Sequence, residues 1–276
     1  MKKRGKMLAI VLGFATAVSC VGFIACNEMT SIVKEEIYYT QSEDKSYYIV
    51  KGSGWNKGSK LTVPESKDDL PVKEIAARGF EGEWLTELVV SDTVEIIGDR
   101  AFYTCWDLSK VYIGASVSQI GELAFASCVE LDEITVSADN AYYQAVDGNL
   151  YDITTTTLVQ YAVGKSAETF VLPETVTSIK SRAFADSLCL KTVVLGGAVR
   201  EIGEGAFSNE NISGELEVGV ERIFYAGDSD GWNDIVIGEN NGRITDTRLY
   251  FYSTSWKSGN YWRYVDGEPK AWNEEE

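Results

Sequence analysis

The 276-residue sequence contains no histidine. Imidazole is thereby missing as general base, as nucleophile partner and as metal ligand, so Ser-His and Cys-His catalysis and imidazole-dependent metal sites are excluded together. Cysteine is scarce as well. Of five residues, Cys20 and Cys26 lie near the amino terminus, and only Cys105, Cys128 and Cys189 remain in the body. That number is odd and too small for a disulfide-stapled scaffold, which leaves folding to hydrophobic burial. Positive charge is also in deficit, with 25 Lys and Arg against 42 Asp and Glu and a net charge of -17. Lys2, Lys3, Arg4 and Lys6 all precede Cys26, so the remainder carries 21 bases against 42 acids, or -21. Such a surface repels phosphate backbones, whose binding needs clustered Lys and Arg, and no nucleic-acid partner is expected. Carboxylate chemistry is the one enzymatic route left open.

What is present begins with those four bases, followed by Met7 to Ala25, 19 residues without a charge. A basic segment ahead of an apolar run is the layout of an export signal. Phe23-Ile24-Ala25-Cys26 resembles the lipobox of bacterial lipoproteins, with Phe23 where Leu is usual, and Ala17-Val18-Ser19-Cys20 is a competing fit. Nineteen apolar residues are also just long enough to cross a bilayer at ~1.5 Å of helix rise per residue. A lipoprotein with Cys26 (or Cys20) lipidated, a plainly secreted protein and a retained membrane anchor therefore all remain open. Each places the remainder outside the cytoplasm.

With 45% apolar residues the body can bury a core, and an internal repeat says how. Arg78-Gly79-Phe80, Arg100-Ala101-Phe102, Leu123-Ala124-Phe125, Arg182-Ala183-Phe184 and Gly205-Ala206-Phe207 place Phe at intervals of 22, 23, 59 and 23 residues. Eight and five residues before each stands an aliphatic pair, such as Val94 with Ile97 or Val176 with Ile179. A second set follows: Leu85, Leu88 and Val90; Leu108, Val111 and Ile113; Leu131, Ile134 and Val136; Leu190, Val193 and Leu195. Leu-x-x-Val-x-Ile alternates at its end as a strand does, and the Ala-Phe stretch reads as a tight turn with an inward ring. Burying each large apolar side chain of one unit gains ~1.5 to 3 kcal/mol, while ordering each residue costs ~1 to 2 kcal/mol, so a lone unit cannot fold. Stacked units share their buried faces and form a solenoid.

The unit Val-x-x-Ile-Gly-x-x-Ala-Phe-x-x-Cys-x-x-Leu-x-x-Val-x-Ile, as in Val94 to Ile113 and Val117 to Val136, resembles the BspA-like leucine-rich repeats of bacterial surface proteins. With its flanking motifs the resemblance covers about residues 35 to 272. It implies a mainly β, right-handed solenoid with an amino-terminal β-hairpin cap and a carboxy-terminal β cap. Departures from the pattern are Gly79 in place of Ala, Cys189 displaced to five after its Phe, and a degraded last unit around Asn209 to Gly214. The expected organisation is an export signal over 1–26, a cap hairpin over 27–60, the solenoid over 61–252 and an aromatic hairpin with an acidic tail over 253–276. The 59-residue interval is one repeat of 23 plus 36 further residues, read as a hairpin insert at about 137–170 around Asp147-Gly148.

Several features are candidates for function. Stacked strands expose one residue per turn in register, giving an outward column of Val89, Tyr112, Thr135, Val194 and Glu217, with Glu87, Lys110, Glu133, Thr192 and Glu215 beside it. Apolar members of that column point to a partner surface, or to ordinary β propensity. Trp256, Tyr261, Trp262, Tyr264 and Trp272 could stack on sugar rings or anchor a protein, or pack the terminal hairpin; packing is the favoured reading. Cys105 and Cys128 share a repeat position, which puts their Cα atoms about 4.8 Å apart, inside the disulfide range of about 4.4 to 6.8 Å. A column of buried thiols is nevertheless preferred, because parallel inward side chains rarely meet the required dihedral. Asp228-Ser229-Asp230-Gly231 does not match an alternating calcium loop and reads as a polar turn. Among Asp139, Asp147 and Asp152 nothing separates a glycosidase pair from a solvated acidic face. The chain is thus expected to be a surface binding or adhesion scaffold without catalysis or cofactor, its partner an extracellular protein or glycan and its membrane link an anchor at the amino terminus. The alternatives are a carbohydrate-binding surface module and an extracellular glycosidase.

Overall fold

The computed structural model describes residues 37–53, 59–209, 219–242, 244 and 248–272. The expected export signal, with Cys20 and Cys26, lies outside them. In chain order the first half contains β1 (Ile37–Gln41), β2 (Tyr48–Ser53), β3 (Ser59–Val63), β4 (Ser66–Lys67), β5 (Leu70–Ile75), β6 (Leu85–Val90), β7 (Ile96–Ile97), β8 (Lys110–Ile113), β9 (Gln119–Ile120) and β10 (Glu133–Val136). The insert supplies β11 (Tyr143–Val146), β12 (Asn149–Asp152) and β13 (Thr157–Gln160). The second half holds β14 (Thr169–Val171), β15 (Ser178–Ile179), β16 (Thr192–Leu195), β17 (Glu201–Ile202), β18 (Arg222–Tyr225), the short helix α1 (Ser229–Asn233), β19 (Val236–Ile237), β20 (Arg248–Tyr252), β21 (Tyr261–Val265) and β22 (Glu268–Ala271).

Each regular turn donates one short and one longer strand, and the two kinds build separate parallel ladders. The short ladder runs β5-β7-β9 in the first half and β13-β15-β17-β19 in the second. The longer ladder runs β3-β6-β8-β10 and then β14-β16-β18-β20. Register follows the repeat: Ile75 sits beside Ile97 and Ile97 beside Ile120, while Leu88 sits beside Val111 and Val111 beside Ile134. Because side chains alternate across a strand, aligning these residues puts every repeat aliphatic on the inner face. Val72, Ile75, Leu88, Val111 and Ile134 are accordingly buried.

The Phe turns close the space between the ladders. Phe80 stacks on Phe102 at 5.2 Å between ring centroids, and Phe102 on Phe125 at 5.6 Å, each pair within 5° of parallel. In the second half Phe184 stacks on Phe207 at 4.9 Å. The residue opening each triplet is left-handed, with φ of 57° at Arg78, 54° at Arg100, 59° at Leu123 and 56° at Arg182. Such a conformation costs a non-glycine residue ~1–2 kcal/mol. Bonds between turns hold it in place: Arg78 N donates to Asp99 O at 2.9 Å, and Phe80 N to Ala101 O at 2.8 Å.

The Ile-Gly step of the repeat has its own cause. A Cβ on Gly98 would fall on the backbone N of Ala77, and one on Gly121 or Gly203 on the backbone N of Asp99 or Ser181. Only a residue without a side chain lets successive turns approach this closely.

The insert divides the array. β11 and β12 form a hairpin through Asp147 (φ 48°) and Gly148 (φ 71°), the two positive values that a two-residue turn of the right twist demands. β13 then pairs antiparallel with β12 and parallel with β15, restarting the short ladder. Two large apolar cores result, one from Val50 to Ala162 and one from Tyr151 to Ile244. Tyr161, 23 residues before Phe184, takes the ring position of its turn and packs on Phe184 at 5.2 Å.

Cys105 and Cys128 are free buried thiols. Cys105 Sγ donates to Phe80 O at 3.0 Å and Cys128 Sγ to Phe102 O at 3.2 Å, so each thiol ties its turn to the one before. Burial pushes the Cys105 thiol up to about 12 and that of Cys128 well above its ordinary value.

Candidate binding faces

Outward positions of the longer ladder diverge between the two halves. In the first half Thr62, Val89, Tyr112 and Thr135 stand side by side on β3, β6, β8 and β10. None of them is buried. Beside them runs a row of alternating charge in which Lys60 pairs with Glu87 at 3.1 Å and Lys110 meets Glu133 at 4.0 Å. These exposed pairs order the rim more than they stabilise it, since such pairs contribute ~0–1 kcal/mol. Together the two rows line a shallow depression of about 180 Å³.

In the second half the equivalent column is covered, which corrects the expectation for two of its members. Val194 is 3% exposed and forms a small cluster with Phe224, Tyr250, Trp262 and Ala271. The residue beside Val194 on the next strand is Phe224, so the fifth place in the column belongs to β18 and not to Glu217. Glu217 lies outside the described residues. The degraded repeat after Phe207 shifts the strand past the position that a 23-residue spacing gives. Thr192, the neighbour on the same face, is buried too.

The cover is the carboxy-terminal hairpin. β21 adds to β20 in parallel and β22 folds back antiparallel. Trp262 stacks on Phe224 at 5.3 Å and within 10° of parallel, and its Nε1 donates to Tyr225 O at 3.0 Å. Trp272 Nε1 donates to Ser253 O at 3.1 Å, and the Arg263 guanidinium lies 3.9 Å from its ring centre. Tyr261 is half-buried, with the Lys257 ammonium 5.0 Å over its ring. Trp256 and Tyr264 are exposed. The five aromatics therefore do not form one open platform: Trp262, at its centre, is wholly inside.

A different tryptophan pair is more open. Trp84 and Trp106 both follow their Phe by four residues and, with Glu83, Thr104 and Asp107, line a cleft of about 170 Å³. Trp106 is 51% exposed. The signal for this pair was their shared repeat position.

The other candidates have structural duties. Asp152 accepts from the amides of Thr156 and Thr157, both at 2.7 Å, and from the hydroxyls of Thr154 and Thr156. Partial burial opposes its ionisation, yet those hydrogen bonds hold its carboxyl below the ordinary value. Asp147 forms the hairpin turn, and Asp139 is exposed ahead of the hairpin. Asp228 caps α1 by accepting from Gly231 N at 2.9 Å.

Comparison with known proteins bears on the repeat. The family model of the BspA type leucine rich repeat region matches residues 156–219, in six copies. A search of the curated proteins gave no match. Among solved structures, a leucine rich repeat protein of T. pallidum is 22% identical, with a TM-score of 0.39, and the alignment covers 74% of this chain and 79% of that one. One from Bacteroides ovatus is 18% identical over 80% of this chain and 70% of that one, with a TM-score of 0.44. A leucine rich cell surface protein of Faecalibacterium prausnitzii is 16% identical over 73% of this chain and 92% of that one, with a TM-score of 0.34. By its repeat pattern, its ladders and the matching family model, the chain carries a leucine-rich-repeat solenoid of the BspA type.

Proposed function

We propose that this chain is an extracytoplasmic binding scaffold, displayed at the cell surface from its amino terminus, that engages an extracellular protein partner without catalysing a reaction. One observation carries the reading. The outward column is capped by Trp262 where it crosses the second half and is left open at Val89, Tyr112 and Thr135 in the first. A fold that covers such a column at one end has the means to cover it elsewhere, and a half-exposed Tyr beside Val on a solvent face is the composition of an interface centre. The export-like segment and the acidic body support display outside the cytoplasm. Lipidation of Cys26 is the anchoring that we favour.

The experiment is a screen of the purified body against extracellular matrix proteins and glycans, repeated with Tyr112→Ala and with Trp256→Ala. Tyr112→Ala weakens the protein partner by about ten-fold or more, as an anchor residue does, while leaving the melting temperature unchanged. Trp256→Ala has no effect. Equal binding by all three proteins refutes this face as the site. A carbohydrate reading now has its support at Trp84 and Trp106, where indole faces and the carboxylates of Glu83 and Asp107 share one cleft. It predicts that Trp106→Ala, and not Tyr112→Ala, abolishes retention on glycans.

A further inference from the structure

The second site lies where the array is interrupted. In every regular turn the amides of the Phe triplet donate to the carbonyls of the following turn: Arg100 N to Glu122 O at 2.8 Å, Phe102 N to Ala124 O at 2.9 Å, Arg182 N to Glu204 O at 3.0 Å and Phe184 N to Ala206 O at 2.8 Å. After Phe125 the insert replaces the following turn. The amides of Leu123 and Phe125, which occupy the same two positions, have no acceptor among the described residues. Both residues line a cleft of about 250 Å³ whose far wall is Val159, Lys180 and Ser181.

The other exposed ends of the two stacks are finished by side chains. At the last turn of the second stack, Asn241 Oδ1 accepts from Phe207 N at 3.2 Å, and its Nδ2 donates to Gly203 O at 2.8 Å. In the first stack Asn140 Nδ2 donates to Gly114 O and Val117 O, and the Tyr143 hydroxyl accepts from Ile120 N at 3.1 Å. Among the described residues, only at Leu123 and Phe125 is the place of the next turn occupied by a cleft. A buried or half-buried amide without a partner is costly, so a pair of them in register is a standing demand for acceptors.

We infer that this cleft binds an extended peptide segment of a partner protein, whose backbone carbonyls take the positions that the missing turn leaves empty. The spacing selects a polypeptide. The two donors are two residues apart and are matched in the neighbouring turn by two carbonyls also two residues apart, Glu122 O and Ala124 O. Charge argues against an anion. Glu122 and Asp152 line the cleft against Lys180, one net negative charge, which disfavours a carboxylate or phosphate and tolerates neutral carbonyls. Ile120, Val159 and the Tyr143 ring give the remainder of the wall an apolar surface for alternate side chains of the segment. The site is separate from the face around Tyr112, and either can fail without the other.

The test uses a phage-displayed library of random dodecapeptides, selected on the intact chain. Val159→Trp and Ser181→Trp each fill the cleft from its far wall, and circular dichroism shows which of them remains folded. Enriched peptides should bind the parent, lose binding about ten-fold or more to the folded filled variant, and slow hydrogen exchange at the Leu123 and Phe125 amides by about ten-fold or more. Binding should be unchanged in Tyr112→Ala. The inference is overturned if no peptide is enriched, if enriched peptides bind the filled variants equally, or if the two amides are already as protected as Phe102 in the free protein.

Discussion

Gly203 shows how little freedom single residues have in a stacked array. Its missing Cβ is the space that the Ser181 backbone occupies, so Gly203→Ala must push two turns apart. Overpacking of this kind costs ~1–3 kcal/mol, and a urea midpoint lowered accordingly is the expected result. Buried acids set the response to alkali. Burial raises the Tyr161 phenol from 10.0 to about 12 and the Cys105 thiol from 9.0 to about 12. Both groups hold their protons more tightly folded than unfolded, so the stability they contribute is complete below the unfolded values. It is lost as pH rises through about 9 to 12. Chemical unfolding at a series of pH values should show stability falling across that window, and of the three described cysteines Cys189 alone should react with iodoacetamide at about pH 8 in the native state. The Phe, Ile and Gly columns were legible in the sequence because each is fixed by a contact with the same residue one turn away. Tyr161 was equally legible by its 23-residue distance from Phe184, but its hydroxyl does not look like a ring-column residue.

At the scale of elements, the carboxy-terminal hairpin is the piece that decides which part of the ladder meets solvent. Ending the chain at Ser253 removes Trp262 and uncovers Val194, Phe224 and Tyr250. Such a truncation should bind an apolar dye that the intact chain does not, and Trp262→Ala alone should cost ~3–5 kcal/mol. A melting curve identical to that of the parent would mean that the hairpin is not packed. The hairpin's existence could be read from its alternating aromatics, but not where it packs, because the partner of Trp262 is 38 residues earlier, at Phe224. For the same reason the register of β18 escaped the spacing rule: once the repeat degrades, strand position is decided by packing on Val193 and Leu195 and no longer by counting. The insert, in contrast, announced its turn through Asp147-Gly148, whose backbone requirement is local.

For the whole molecule, two consequences follow from one device, the sharing of buried faces between successive turns. Regularity gives the fold, so a stacked solenoid could be argued from periodicity alone, while its mainly β class came from the resemblance to known repeats. Irregularity gives the candidate sites: the open column lies where no hairpin covers the ladder, and the peptide cleft lies where a turn is missing. Neither site has a sequence motif, since each is defined by what does not pack there, and a sequence reading counts what is present. The division into a covered and an open half is the claim on which the functional account depends. Hydroxyl-radical footprinting of the intact chain, read by mass spectrometry, tests it in one measurement. Tyr112, Trp106 and Trp256 should be oxidised readily, and Trp262, Tyr250 and Phe224 should be protected until the chain is unfolded. Oxidation of Trp262 as fast as that of Trp256, or protection of Tyr112 equal to that of Tyr250, would contradict it.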